Sequence, residues 1–66
     1  AFEILGVSPD IDDDSLRSKW RELVRDNHPD KLIAEGMPEE FIKVATDKLA
    51  KINAAYDAIA AKRGLR

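Results

Sequence analysis

The 66-residue chain has no cysteine. Disulfides and thiolate-rich zinc sites are therefore excluded as braces, while the redox compartment stays open. No apolar run approaches the roughly 20 residues needed to span a bilayer, and no signal-peptide pattern is present. That excludes direct membrane insertion by this stretch and says nothing of a segment elsewhere in a longer parent. The three glycines, Gly6, Gly36 and Gly64, lie too far apart for a phosphate-cradling loop. A single histidine and no cysteine argue against a nucleophile–base set. His28 and Asp30, astride a proline, fall short of a zinc site, so no metal and no cofactor are expected. Intrinsic catalysis is the reading least favoured.

What is present suits a small helical domain. The composition is 44% hydrophobic and 36% charged, as in a folded soluble module. With so short a chain the core must be efficient, and helix packing is the available source of stability. Thirteen acidic against eleven basic residues give a net charge of -2. Nucleic-acid binding normally needs a clearly basic domain, which argues against such a partner. The distribution is more informative than the sum. Residues 10–14 read Asp-Ile-Asp-Asp-Asp, whereas Arg17, Lys19, Arg21 and Arg25 follow closely, suggesting one charged docking face.

The pattern divides into one domain, 1–66, with three helices. The first covers about 1–5, where Phe2 and Leu5 share a face; Gly6 ends it and Ser8-Pro9 makes a turn. The chain opens inside this helix without a methionine, so a domain cut from a longer protein is expected. A second helix is expected over about 13–27. Asp12 is its N-cap, and Asp13 and Asp14 complement the first-turn amides. Leu16, Trp20, Leu23 and Val24 form its apolar stripe, with Arg17, Arg21 and Arg25 as a ladder beside it. Pro29 stops it, because the residue before a proline is pushed out of the helical region.

A link over 28–37 follows, with room for a helical turn at Leu32 to Glu35. The third helix is expected over about 38–62, with Pro38 as its first residue and Glu39 and Glu40 in the first turn. Phe41, Ala45, Leu49, Ile52, Tyr56 and Ile59 recur at helical spacing, and Gly64 is the stop. The two long helices should pack as an antiparallel hairpin. Its core is expected to be Leu5, Leu16, Trp20, Leu23, Val24, Phe41, Ala45, Leu49, Ile52, Tyr56 and Ile59.

His28-Pro29-Asp30, followed by Lys31, lies at the tip of that hairpin. Proline stiffens the corner, so its neighbours lose less entropy on entering an interface than groups on a floppy loop. Asp30 can accept a bidentate pair from a partner's arginine, and His28 offers an apolar ring with two polar positions. A plainer role for His28 is a helix-end residue interacting with the dipole. Met37 and Ile33 either fold over the tip or form a small accessory patch.

These residues carry a resemblance. Phe2-Glu3-Ile4-Leu5-Gly6-Val7, then Leu16 to Leu23 with Trp20 and Arg21, then His28-Pro29-Asp30-Lys31, and finally Lys51 through Ile59 stand in the order of a J domain. His-Pro-Asp alone is weak; flanked by the other blocks it is specific. The long interval from Leu32 to Ala50 resembles the C-terminal J domain of the membrane-anchored DjlA class. The resemblance implies an all-α J-domain fold: short helix I, an antiparallel hairpin of helices II and III, and helix IV essentially absent. It also implies an isolated domain that is a monomer and docks on the nucleotide-binding domain and interdomain linker of an ATP-bound, DnaK-type Hsp70.

In that family His28, Pro29 and Asp30 would be the loop that stimulates ATP hydrolysis, with Arg17, Arg21, Arg25 and Lys31 as the basic docking face. ATP would be bound by the partner; this domain would be an activator promoting client capture, with no cofactor of its own. The parent would be anchored in a bacterial inner membrane with the domain on the cytoplasmic face. Glu22 and Asp26 depart from the usual basic pattern, and Arg25 occupies an often apolar position, so a more selective electrostatic footprint is expected. The rival readings are a non-stimulating J-like scaffold and, further off, a basic-helix nucleic-acid binder.

Overall fold

The computed structural model describes residues 1–65 and contains four helices in the order α1 (Phe2–Leu5), α2 (Asp13–Asp26), α3 (Pro29–Ala34) and α4 (Glu39–Arg63). Local chemistry sets their ends. The Asp12 carboxylate accepts a hydrogen bond from the Ser15 amide at 3.1 Å, capping α2 one residue before two first-turn aspartates. Pro38 stands as the N-cap of α4, with extended backbone, so the helix starts at Glu39 rather than at the proline. At the far end Gly64 adopts φ 71°, which only glycine enters without steric cost. The turn it allows brings the Leu65 amide back to the Ala60 carbonyl at 2.8 Å and packs Leu65 against the core.

Helices α2 and α4 run antiparallel. Their register is fixed at one end by Arg63 on Asp13 and further along by Trp20, whose ring stacks on Tyr56 with centroids 4.3 Å apart. The indole N–H of Trp20 donates to Asn53 Oδ1 at 3.0 Å, so its polar atom is satisfied at the seam. Helix α1 closes one end of the groove through Leu5. The buried centre consists of Leu5, Leu16, Ile52, Ala55 and Ile59, with Phe2, Val7, Trp20, Leu23, Val24 and Tyr56 packed around it. Each fully buried aliphatic side chain contributes about 1.5–3 kcal/mol by leaving water.

Three expectations are corrected. The fourth helix is not essentially absent: α4 is a substantial 25-residue helix that packs on α1, α2 and α3. The count changes because the link forms a helix of its own, so the long helix comes fourth in order. Phe41 is not core; it is 56% exposed. The register between Asp13–Arg63 and Trp20–Tyr56 would place position 41 opposite a residue beyond the end of α2 at Asp26. The half-buried residue of that turn is its neighbour Ile42. Ala55 and Ala60, absent from the expected stripe, are buried. Leu49 is half-buried and Ala45 buried.

Candidate functional site

The hairpin tip is built by two consecutive helix ends rather than by an irregular loop. Helix α2 stops at Asn27, whose backbone amide and side-chain amide both donate to the Leu23 carbonyl, at 3.1 and 2.9 Å. The side chain thus adds a second donor to a carbonyl that the helix ladder already pairs, and the two hydrogen bonds together fix the direction in which the chain leaves. One residue later a new helix begins. His28, in extended conformation, is the N-cap of α3, and Pro29 occupies its first turn, where a missing N–H costs nothing.

The His28 side chain does the capping itself. Its Nδ1 accepts from the Asp30 amide at 3.2 Å, while its carbonyl accepts from the amides of Lys31 and Leu32. An accepting Nδ1 leaves Nε2–H as the free donor of the neutral ring. The Asp30 carboxylate lies 3.9 Å from Nδ1 and its side chain is 87% exposed. The result is a ring held by its own backbone and a carboxylate beside it that is open to a partner.

Helix α3 ends as tightly as it begins. The Gly36 amide donates to the Ile33 carbonyl and the Met37 amide to the Leu32 carbonyl, both at 3.0 Å, with Gly36 at φ 75°. This is the Schellman pattern, and it needs the left-handed residue at that point. The sequence carried the signal in full: proline at the first helical position, aspartate in the first turn, and glycine just past the end. The expected link of 28–37 left the helix as a single turn at Leu32–Glu35; it runs Pro29–Ala34.

The four cations of the expected docking face differ in availability. Arg17 is paired with Asp14 at 3.7 Å, and Lys31 with Asp26 at 3.9 Å. Arg21 and Arg25 are exposed and make no ion pair among the described residues. Asp26, a departure from the basic pattern, thus restrains Lys31 beside the tip. Arg17 also lines one groove together with Tyr56 and Asp57 of α4, whereas Arg21 and Arg25 are exposed on α2.

One functional-looking residue escaped the sequence reading. Arg63, beyond the expected end of its helix, reaches the opposite end of the domain from the tip. Its Nη1 donates to the Ile11 carbonyl at 2.7 Å and to Asp13 at 2.9 Å, and its Nη2 donates to the Pro9 carbonyl at 3.1 Å. It clamps the turn between α1 and α2 to the end of α4. Its partners are backbone atoms and a distant side chain, which no local pattern advertises.

A model of the DnaJ domain matches residues 1–63, nearly the whole chain. The chain belongs to the J-domain family. Among relatives, the co-chaperone protein DjlA of Legionella pneumophila is 48% identical over 64 residues, covering 97% of this chain and 22% of that protein. DjlA of Shewanella oneidensis is 38% identical over all 66 residues, covering 25% of its length, and DjlA of Pasteurella multocida is 41% identical over 64. The J domain therefore spans about a quarter of the length of these relatives. No solved structure matches the chain. Among its described residues, no helix is long and apolar enough to cross a membrane, and no cluster of three potential metal ligands occurs.

Proposed function

We propose that this J domain docks on an ATP-bound, DnaK-type Hsp70, at its nucleotide-binding domain and interdomain linker, and stimulates ATP hydrolysis there so that client is captured. The carrying observation is the His28-Pro29-Asp30 corner, exposed at the tip of a J-domain hairpin and stiffened by the α3 cap. A group already held in place loses little entropy when an interface immobilises it.

In this reading Asp30 accepts a charge-assisted pair from a partner arginine, and His28 presents its free ring edge. Pro29 holds the two apart. Arg21 and Arg25 meet an acidic surface of the partner without first breaking an internal pair. Arg17 and Lys31 exchange Asp14 and Asp26 for partner carboxylates, which lowers what each adds. ATP and the catalytic groups belong to the Hsp70. Tighter binding to its hydrolysis-ready arrangement shifts the population toward that state, so this domain is an activator and not an ATPase. The domain works at the cytoplasmic face of a bacterial inner membrane, held there by another part of its parent. Support for that last point is the similarity to DjlA proteins alone.

Binding of the domain to a purified bacterial Hsp70, compared between the ATP and ADP states at low and high salt, tests the docking half. Expected is ATP-dependent binding that weakens with salt, and weakens at low salt in Arg21→Glu. Equal binding in both nucleotide states would point to a scaffold, and no binding would remove the proposal.

A further inference from the structure

One atom at the tip has two possible uses. His28 is the single histidine of the chain, and its Nδ1 is the acceptor that caps α3, taking the Asp30 amide at 3.2 Å. An imidazole takes up a proton between about pH 5 and 8, and the imidazolium has two donors and no acceptor. The cap is therefore made by the neutral ring alone. Asp30 Oδ2 lies 3.9 Å from the same Nδ1. Closing that gap by about 1 Å gives the charged ring a charge-assisted hydrogen bond to the carboxylate. Both side chains are exposed, so neither the proton nor the movement requires the fold to open.

The other charges near the tip do not compete for the ring. The last turn of α2 carries Arg25 and Asp26, α3 carries Lys31, and α4, which packs on α3, begins with Glu39, Glu40 and then Lys43. Asp26 is held by Lys31 at 3.9 Å. Among the described residues Asp30 is the only carboxylate within 4.0 Å of a ring nitrogen of His28. Protonation thus removes one hydrogen bond from the α3 cap and offers one other in its place.

We infer that His28 and Asp30 form a pH switch inside the tip. With the ring neutral, Nδ1 caps α3 and the Asp30 carboxylate stays open to a partner's arginine. With the ring protonated, the cap is released and Nδ1–H closes on Asp30, whose charge is then spent within the domain. The inference rests on the docking proposed above and adds a direction to it: engagement of the Hsp70 is lost as pH falls through the titration of His28. A partner that accepts only the neutral form sees its apparent affinity reduced by the fraction of that form.

The test has two arms, both run from about pH 8 to about pH 5.5 with circular dichroism confirming the fold at each point. In the first, nuclear magnetic resonance of the domain alone follows the His28 ring together with the Asp30 amide proton and carboxyl carbon. Expected is an upfield move of the amide as it loses its acceptor, and a carboxyl shift in step with the ring. In the second, binding of the native domain to a purified, ATP-bound DnaK-type Hsp70 is measured at each pH. Affinity should fall about tenfold for each pH unit below the midpoint found for the ring. A ring that titrates while the Asp30 amide and carboxyl stay put overturns the switch. Affinity that is flat across the ring's midpoint, or that falls about a different midpoint, also overturns it and leaves the docking proposal standing. A domain that binds at no pH overturns the docking proposal itself, and this inference with it.

Discussion

Replacing Arg63 with alanine should cost this domain much of its stability, although the residue sits in the last turn of its last helix. The guanidinium serves three acceptors: two carbonyls of the α1–α2 turn, at 2.7 and 3.1 Å, and the Asp13 carboxylate at 2.9 Å. Its side chain is only 21% exposed, against 50% for Asp13. The carboxylate half of the contact is thus well solvated, and such an ion pair contributes roughly 0.5 kcal/mol. The carbonyls dominate. Hydrogen bonds to a charged donor contribute about 1.5–3 kcal/mol where buried, and partial access of water to the vacated acceptors cuts this, giving a total near 2 kcal/mol for Arg63→Ala.

A domain of this size holds only about 3–10 kcal/mol, so the melting temperature should fall by roughly 8–16 °C. Thermal and urea unfolding followed by circular dichroism would read it. Arg63→Lys should recover part of the loss, because one ammonium cannot span all three acceptors. A double-mutant cycle with Asp13→Asn should return a coupling of no more than about 1 kcal/mol. Arg63→Ala within about 0.5 kcal/mol of the native domain would refute the reasoning, and the clamp would be a solvated surface contact.

Ile52→Ala, at a position that is 1% exposed, should destabilise by about 2–5 kcal/mol in urea unfolding, while Phe41→Ser should change stability by less than about 0.5 kcal/mol. Asn53→Ala would strand the Trp20 indole N–H at a part-buried seam, so a loss of about 1–2 kcal/mol and an altered tryptophan emission spectrum are expected. Gly36→Ala meets no atom within 4 Å, so its cost is backbone strain alone, about 1 kcal/mol, read by the same unfolding assay. The Asp12 carboxyl is held below its usual range by hydrogen bonds from Ser15. Its capping contribution is therefore present above the unfolded value near 3.8 and lost as pH falls through the lower folded value. Asp12→Asn should flatten that acid limb in a pH series of melting curves.

The sequence made the periodic parts of this molecule legible. Leu16 and Ile59 are buried because the stripes that carry them face each other, and period alone located both stripes. Periodicity could not reveal where a stripe outruns its cover, which is why Phe41 looked like core: its exposure depends on α2 ending at Asp26 on the other side of the hairpin. Alanine carries too weak an apolar signal for Ala55 and Ala60 to stand out, yet both are buried. The tip is legible in its residues, and its conformation is signalled as well, by Pro29 and Asp30 in the first turn of α3 and Gly36 past its end. His28-Pro29-Asp30 stands out by its spacing from the flanking blocks, while the helix it starts is masked because the same proline also marks the end of α2. Arg63 was invisible for a further reason: its three acceptors lie 50 or more positions away in the chain.

The central claim is that the tip of this hairpin drives hydrolysis on a partner. Single-turnover ATP hydrolysis by a bacterial DnaK-type Hsp70, with and without a saturating amount of the J domain, tests it most directly when Asp30→Asn is run beside the native chain. Asparagine keeps the size and the backbone amide that His28 Nδ1 accepts, and removes only the charge. The account predicts stimulation by the native domain and almost none by the equally folded variant. Equal stimulation by both, or none by either, would contradict it.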